Sequence, residues 1–467
     1  MQFIGKLASS PSFQNNGLTD NQLQCTYAEM PAIFERLDAL FAHKGITTAD
    51  TVVLQSENSV PSALTLIYLI ERGYSLLLLP AAADTVPTFS RYYLTTVDND
   101  SHLDPTAFLG ITPNEQWDGS QHTGDPKVYL RTSGSTGTPK MAVHSHRLLL
   151  ANGDNCVERL ELTSEDRVAL PVPIGHMFGL GAGFLPSVTA GASIDLQKGS
   201  NLLRFIQRER AFNPNVVFLT PVFAETLIKG RRKKRAYRMT VSAGDRFRGT
   251  TFARYEERFG TLVNLYGSTE MGALAASNPN DPFDLRSTTA GKPMLGVQVR
   301  LEQGALSDAD RQSGLGELWA KHPAGLEGYV TLDGSPTGQD LAAQDGWFCT
   351  SDLGRILPDG RLYIMGRASH SVNRNGLLVF FSDVENAIEK LDGVETAVVV
   401  SKGESIRGQN LTAYCVLERG ATVSNNEIRT ASFDLLPRRA VPDNINIMRA
   451  LPLLPNGKVD RQKLVAH

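Results

Sequence analysis

The segment Leu130-Arg131-Thr132-Ser133-Gly134-Ser135-Thr136-Gly137-Thr138-Pro139-Lys140 gathers hydroxyls, glycines and a lysine in one short run. These are the groups a polyphosphate needs. Gly134 and Gly137 carry no Cβ to keep their amides away from phosphate oxygens. Thr132, Ser133, Ser135, Thr136 and Thr138 supply hydroxyl donors, and Lys140 supplies a full charge. The apolar stretch Val128 to Leu130 predicts a strand leading into this cradle. The spacing departs from the common nucleotide loop, G-x-x-x-x-G-K-[ST], because only two residues separate the glycines and Pro139 precedes the lysine. A solvated Ser/Gly loop is the plain alternative, but so many donors in this order favour the cradle.

Three further strings carry chemistry. In Tyr266-Gly267-Ser268-Thr269-Glu270 a tyrosine can stack on a purine, a threonine can meet a phosphate oxygen, and a glutamate can hold Mg²⁺ through hard oxygens. In Gly346-Trp347-Phe348-Cys349-Thr350-Ser351-Asp352-Leu353-Gly354 an aspartate can accept hydrogen bonds from both ribose hydroxyls. In Pro455-Asn456-Gly457-Lys458-Val459-Asp460-Arg461 the Asn-Gly pair favours a tight turn that presents Lys458 on its tip. Each has a plain reading as well: a core tyrosine, an Asp-Leu-Gly turn, a solvated tip lysine.

Together, in this order and spacing, the strings closely resemble the AMP-forming adenylating superfamily of acyl- and aryl-CoA synthetases, stand-alone adenylation enzymes and luciferases. The match runs from Thr132 to Arg461, and 126 positions separate Lys140 from Tyr266 where the family has about 130. The resemblance implies ATP as cosubstrate, with its phosphates on Thr132 to Gly137 and Lys140. It implies adenine against Tyr266, with Gly244 and Asp245 of Ser242-Ala243-Gly244-Asp245 on the other face. Asp352 would hold the ribose, and Arg367 the ribose or a phosphate. Thr269 would touch the α-phosphate, Glu270 would hold Mg²⁺, and Lys458 would stabilise the charge that develops during adenylation. Gly376 would line a tunnel for a pantetheine thiol. Three departures stand out: Ser351 replaces a glycine, Ser369 takes the place of the hinge acid or lysine, and Asn373 that of a later lysine. The region before the cradle is also shorter than in typical relatives.

Gly175-His176-Met177-Phe178-Gly179 resembles the P-x-x-H-x-x-G segment of acyl- and aryl-CoA synthetases. Amino-acid-activating relatives place an aspartate there to pair with the substrate ammonium, whereas no residue from Ile174 to Gly183 is acidic. An ammonium would lack its counterion, so a non-amino carboxylic acid is expected. By resemblance His176 gates the carboxylate, and Phe178, Ala182, Leu265 and Ala273 line the pocket. Leu265 stands where many aryl-activating relatives have glycine, which points to a compact acid, aryl or short acyl and hydroxybenzoate-like; the alternative turns Leu265 into the sheet core. The expected reaction is acyl-AMP formation with pyrophosphate release, then transfer to a pantetheine thiol of an acyl carrier protein or of CoA. The carrier protein is preferred because Arg231-Arg232-Lys233-Lys234-Arg235-Ala236-Tyr237-Arg238 offers a basic dock; the plain reading is a solvated face. Luciferase-like oxidation of the adenylate, or an adenylate-binding protein without turnover, would share these motifs.

Positioning these residues takes a large α/β frame. With 467 residues the chain can bury two or three cores. Its 46 basic and 49 acidic residues balance to a net charge of −3, which gives no reason to expect nucleic acid. Cys25, Cys156, Cys349 and Cys415 form no C-x-x-C pair, so neither a disulfide framework nor a zinc site is indicated, and a cytoplasmic location is expected. No signal-like start or membrane span is read, because Glu71-Arg72-Gly73 breaks the apolar stretch from Leu64 to Pro80. Helical spacing over Tyr27 to His43 and strands at Val52 to Leu54 and Ser75 to Leu79 alternate as a parallel sheet requires. Residues 81 to 125 give only turn signals. A helix is expected over Leu148 to Leu162. Short apolar runs at Val168 to Pro173, Asn215 to Leu219, Met239 to Ser242 and Leu262 to Leu265 end in loops that should converge on the cradle. Turn-punctuated strands from about Gly291 predict a β-rich subdomain, and the last hundred residues a small mobile α+β domain hinged near Gly366-Arg367. The expected division is an ATP- and acid-binding domain over 1–366 and a lysine-bearing domain over 367–467.

Overall fold

The computed structural model describes residues 3–80, 85–97, 103–132, 140–199, 201–245, 247, 249–304, 306–337, 341, 344–374, 377–405, 408–452 and 459–466. Ser133, Gly134, Ser135, Thr136, Gly137, Gly376 and Lys458 lie outside the described residues. The contacts divide the chain into two compact units, Met1–Gln298 with Lys321–Phe348, and Val299–Ala320 with Cys349–His467.

The larger unit is built on two sheets with parallel centres and antiparallel margins. In the eight-stranded sheet, Thr51–Gln55, Ser75–Leu79, Lys127–Arg131 and Tyr92–Thr96 pair in parallel. Ser75–Leu79 is buried throughout, as a central strand covered on both faces should be. The helix Val60–Arg72 packs on this sheet. It is apolar nearly all round and buried from Val60 to Glu71, with Ser59 capping its start, Pro61 in its first turn and Gly73 left-handed at its end. In the nine-stranded sheet the parallel centre is Gly17–Thr19, Ser193–Leu196, Arg167–Leu170, Val216–Leu219, Tyr237–Ser242 and Gly260–Ser268. The apolar runs between the cradle and the second string are all strands of this sheet.

Residues 81–125 hold more order than their polar sequence suggested. Tyr92–Thr96 and Leu109–Pro113 form an antiparallel pair at the sheet margin. Most of Leu109–Pro113 faces outward, so it carries no apolar alternation to read. The strands on either side of the cradle, Lys127–Arg131 and Met141–Ser145, are antiparallel neighbours, with Arg131 opposite Met141.

The smaller unit contains a four-stranded sheet ordered Gln298–Glu302, Gly316–Lys321, Phe348–Ile356 and Leu362–Arg367. A five-stranded sheet follows, centred on the antiparallel pair Val394–Ser405 and Gly408–Leu417, with Asn444–Met448 parallel at its side. The helices Phe381–Ile388 and Asn425–Leu435 cover it through Val384, Ile388 and Ile428. Among the described residues, no helix is long and apolar enough to cross a membrane. All four cysteines are free, and burial pushes the Cys25, Cys156 and Cys415 thiols up to about 12.

Candidate active site

Lys140 leaves the cradle at the start of Met141–Ser145, with the base of the loop tied behind it. The Thr132 amide and hydroxyl both donate to the Lys140 carbonyl, at 3.1 and 3.2 Å. Gly328–Val330 pairs antiparallel with Met141–Ser145 and sets Tyr329 opposite Ala142. The Lys140 ammonium sits 4.1 Å from the centre of the buried Tyr329 ring. The Glu270 carboxylate lies near the Tyr329 phenol, and burial with that neighbouring charge raises the phenol's pKa. Lys140 and Glu270, far apart in sequence, therefore meet on one tyrosine. That tyrosine was not legible in the sequence, because its place is set by strand pairing.

The turn carrying Thr269 and Glu270 is fixed from behind. His144 Nε2 donates to the Thr269 carbonyl at 2.9 Å, the Leu326 amide to the Glu270 carbonyl at 2.8 Å, and the Met271 amide to Ser268 Oγ at 3.1 Å. His322 accepts the Ala324 amide on Nδ1 at 2.8 Å, which leaves Nε2 protonated to donate to the Ala273 carbonyl at 3.1 Å. Burial pushes both histidines down to about 4, so they are neutral near pH 7. Gly272 has a φ of 63°, and a Cβ there would lie 2.5 Å from Asn152 Oδ1. Glycine is required by both conformation and space.

That same asparagine fastens the expected acid pocket. Asn152, buried in the helix His146–Leu160, accepts the Ala273 amide at 2.8 Å and donates to the Gly181 carbonyl at 2.8 Å. Gly181 belongs to the π-helical turn Phe178–Phe184 that follows His176. A Cβ on Gly179 would lie 2.0 Å from the Pro173 carbonyl oxygen, so the turn folds back on the segment before it only with glycine there. His176 is exposed at the mouth of this turn, and Phe178 lies 6.1 Å from Phe218. Ala182, Leu265 and Ala273 are buried in one apolar cluster. Leu265, 8% exposed, is thus part of the sheet core as well as of the expected pocket wall. Asn152 had a faint signal in sequence: asparagine is a poor choice inside a helix unless its side chain has work elsewhere.

Gly244 and Asp245 are exposed just past the strand Tyr237–Ser242. Tyr266 is half-buried on the adjacent strand, opposite Ala275. In the smaller unit Asp352 and Arg367 face each other across Phe348–Ile356 and Leu362–Arg367, with Arg367 Nε 3.0 Å from Asp352 Oδ1. Arg367 also donates to the Thr350 carbonyl at 3.1 Å, and the Thr350 hydroxyl accepts the Asp352 amide at 3.1 Å. Ser369 and Asn373 are both exposed.

The basic run is largely engaged internally. Arg231 pairs with Glu209, and Arg235 lies 3.6 Å from the same carboxylate, which is 3% exposed. Arg238 pairs with the buried Asp166 at 2.8 Å, and Lys234 with Glu257 at the surface at 3.2 Å. Arg232 and Lys233 are exposed.

No group of three metal-ligating side chains is gathered among the described residues. A carboxylate near a lysine nonetheless suits Mg²⁺, which usually takes one or two protein oxygens and the rest from other ligands and water. Glu270 fits that demand.

The AMP-binding enzyme family profile matches residues 76–330 and the AMP-binding enzyme C-terminal domain matches residues 383–458, and the chain belongs to this family. It is 27% identical over 350 residues to a salicylyl-CoA synthase / salicylate adenylyltransferase of a Streptomyces species, across 73% of this chain and 63% of that protein. It is 30% identical over 351 residues to the p-hydroxybenzoic acid–AMP ligase FadD22 of Mycobacterium tuberculosis, across 73% of this chain and 49% of that protein. The aligned stretch thus spans about half to two-thirds of the length of these relatives. ATP-bound MatB from Rhodopseudomonas palustris shares the fold, with a TM-score of 0.82 at 20% identity over 99% of this chain and 98% of that one.

Proposed function

We propose that this protein joins a compact, non-amino carboxylic acid to ATP, releasing pyrophosphate, and passes the acyl group from the adenylate to a pantetheine thiol. The observation that carries the reading is the meeting of Lys140, Tyr329 and Glu270 beside Thr269. A cation, a carboxylate and a hydroxyl so disposed suit a magnesium-bound polyphosphate. Mg²⁺, when bound there, would neutralise phosphate charge; Glu270 would hold it, Thr269 would touch the α-phosphate, and Lys140 would face the phosphates. The acid's oxygen attacks the α-phosphorus, the bond to pyrophosphate breaks, and Lys458 meets the developing charge. In the second step the thiol attacks the acyl carbon and AMP leaves.

An aryl acid is favoured by the apolar surroundings of Ala182, Leu265 and Ala273, by the lack of any acidic residue from Ile174 to Gly183, and by the two relatives named for hydroxybenzoates. Asp352 and Arg367 are assigned to the ribose, Tyr266, Gly244 and Asp245 to the adenine, and Gly376 to the thiol's path. The division into an adenylating domain over 1–366 and a lysine-bearing domain over 367–467 belongs to the same reading. The test is acid-dependent pyrophosphate release over aryl, short acyl and amino acids, then AMP release with CoA and with a holo carrier protein. Hydroxybenzoates should lead; release with amino acids alone, or with no acid at all, overturns the assignment.

The acceptor is inferred to be a carrier protein, on a dock reduced to Arg232, Lys233 and the surface end of Lys234. Reversing Arg232 and Lys233 to glutamate should slow carrier loading about tenfold at low salt while pyrophosphate release stays constant. Unchanged loading makes CoA the acceptor.

A further inference from the structure

Lys140 and Glu270 carry opposite charges and both approach Tyr329, the ammonium 4.1 Å from its ring centre and the carboxylate near enough to act on its phenol. A direct ion pair between them would leave each less free for a ligand: the lysine would be neutralised before any phosphate arrived, and the carboxylate before any cation. A ring face holds an ammonium weakly enough to surrender it to a phosphate. A phenol donates to one carboxylate lone pair and leaves the remaining oxygen positions open.

Resting on the adenylation reading above, we propose that Tyr329 is a positioning residue of the phosphate and metal side of the site: its ring seats the Lys140 ammonium and its hydroxyl aims Glu270. The backbone supports both functions. Tyr329 stands opposite Ala142 on the strand that Lys140 enters, and three residues earlier the Leu326 amide holds the Glu270 carbonyl at 2.8 Å. One short strand, Gly328–Val330, therefore sets the lysine and the glutamate relative to each other. Burial at 5% exposure keeps the ring from swinging away.

Two variants separate the ring from the hydroxyl. Tyr329→Phe keeps the seat for Lys140 and loses the bond to Glu270; Tyr329→Leu loses both. The measurement is calorimetric ATP affinity of the full chain with Mg²⁺ and with chelator, alongside thermal melting. Tyr329→Phe should lower the Mg²⁺-dependent gain in ATP affinity about three- to tenfold and leave metal-free affinity unchanged, the loss expected for one hydrogen bond to a charged group. Tyr329→Leu should weaken metal-free binding as well. Equal losses with and without Mg²⁺ in Tyr329→Phe, or no loss at all, overturn the proposal, as does a fall in affinity that merely tracks melting temperature. Failure of the unsubstituted protein to bind ATP under either condition would instead sink the adenylation reading.

Discussion

Ser351 holds a φ of 58°, a left-handed conformation that costs a residue with a Cβ about 1 kcal/mol or more. It sits between Thr350, whose hydroxyl accepts the Asp352 amide, and Asp352 itself, so the bend aims the carboxylate assigned to ribose. The family's glycine at this position thus has a backbone reason that the sequence alone did not supply. Ser351→Gly should raise the unfolding free energy by roughly 0.5–1 kcal/mol without changing ATP affinity, measured by denaturant titration and calorimetry; a destabilised variant would mean that the serine side chain matters more than the bend. Leu265 poses the opposite case, since it belongs to the buried cluster and to the expected pocket. Leu265→Ala should cost about 2–4 kcal/mol in stability and admit bulkier acids in the pyrophosphate assay. An unchanged acid profile with that stability loss would leave Leu265 purely to the core. Lys140, Thr269 and Glu270 could be proposed from residue type and order, because the chemistry assigned to them lies in contiguous strings. Tyr329, His144 and His322 could not, since each acts through a partner brought alongside by folding.

At the scale of elements, legibility followed burial. Ser75–Leu79 and Val216–Leu219 are continuous apolar runs because both faces of their sheets are covered. Leu109–Pro113 shows outward-facing residues and no periodicity. The turn Phe178–Phe184 is hidden for a different reason: its glycines at 179, 181 and 183 give no helical propensity, and close packing rather than local preference makes the turn. The antiparallel pairing of Lys127–Arg131 with Met141–Ser145 was likewise absent from the sequence, because strand direction is decided by pairing with Gly328–Val330 and Ser75–Leu79. What joins the turn Phe178–Phe184 to the strand Gly272–Ala276 is Asn152. Asn152→Leu keeps the volume approximately and leaves the Gly181 carbonyl and the Ala273 amide without partners, each worth about 1–3 kcal/mol. The variant should lose about 2–4 kcal/mol in denaturant titration and discriminate less between small and large acids. Retained selectivity at full stability would show that the two walls are held by packing alone.

For the whole molecule, the buried histidines set how stability answers to pH. His144, His146 and His322 are each pushed down from 6.5 to about 4, in every case chiefly by burial. As pH falls through 6.5 the unfolded chain takes up protons that the folded protein refuses until about 4, so stability is complete above 6.5 and drains away below it. At pH 5.5 each histidine should withdraw about 1.4 kcal/mol, or about 4 kcal/mol for the three together. Asp118 and Glu427, held low by hydrogen bonds from neighbouring serines, lose their contribution only nearer pH 4, and Asp195, raised by burial, works in the opposite sense there. His144 is the informative one, since its proton-bearing Nε2 also fixes the Thr269 carbonyl. His144→Gln can keep a donor to that carbonyl without titrating. Its unfolding free energy should therefore fall less steeply than the unsubstituted protein's between pH 6.5 and 5, by about 1.6 kcal/mol over that span. Parallel pH profiles for the two proteins would mean that His144 is not the buried neutral group described.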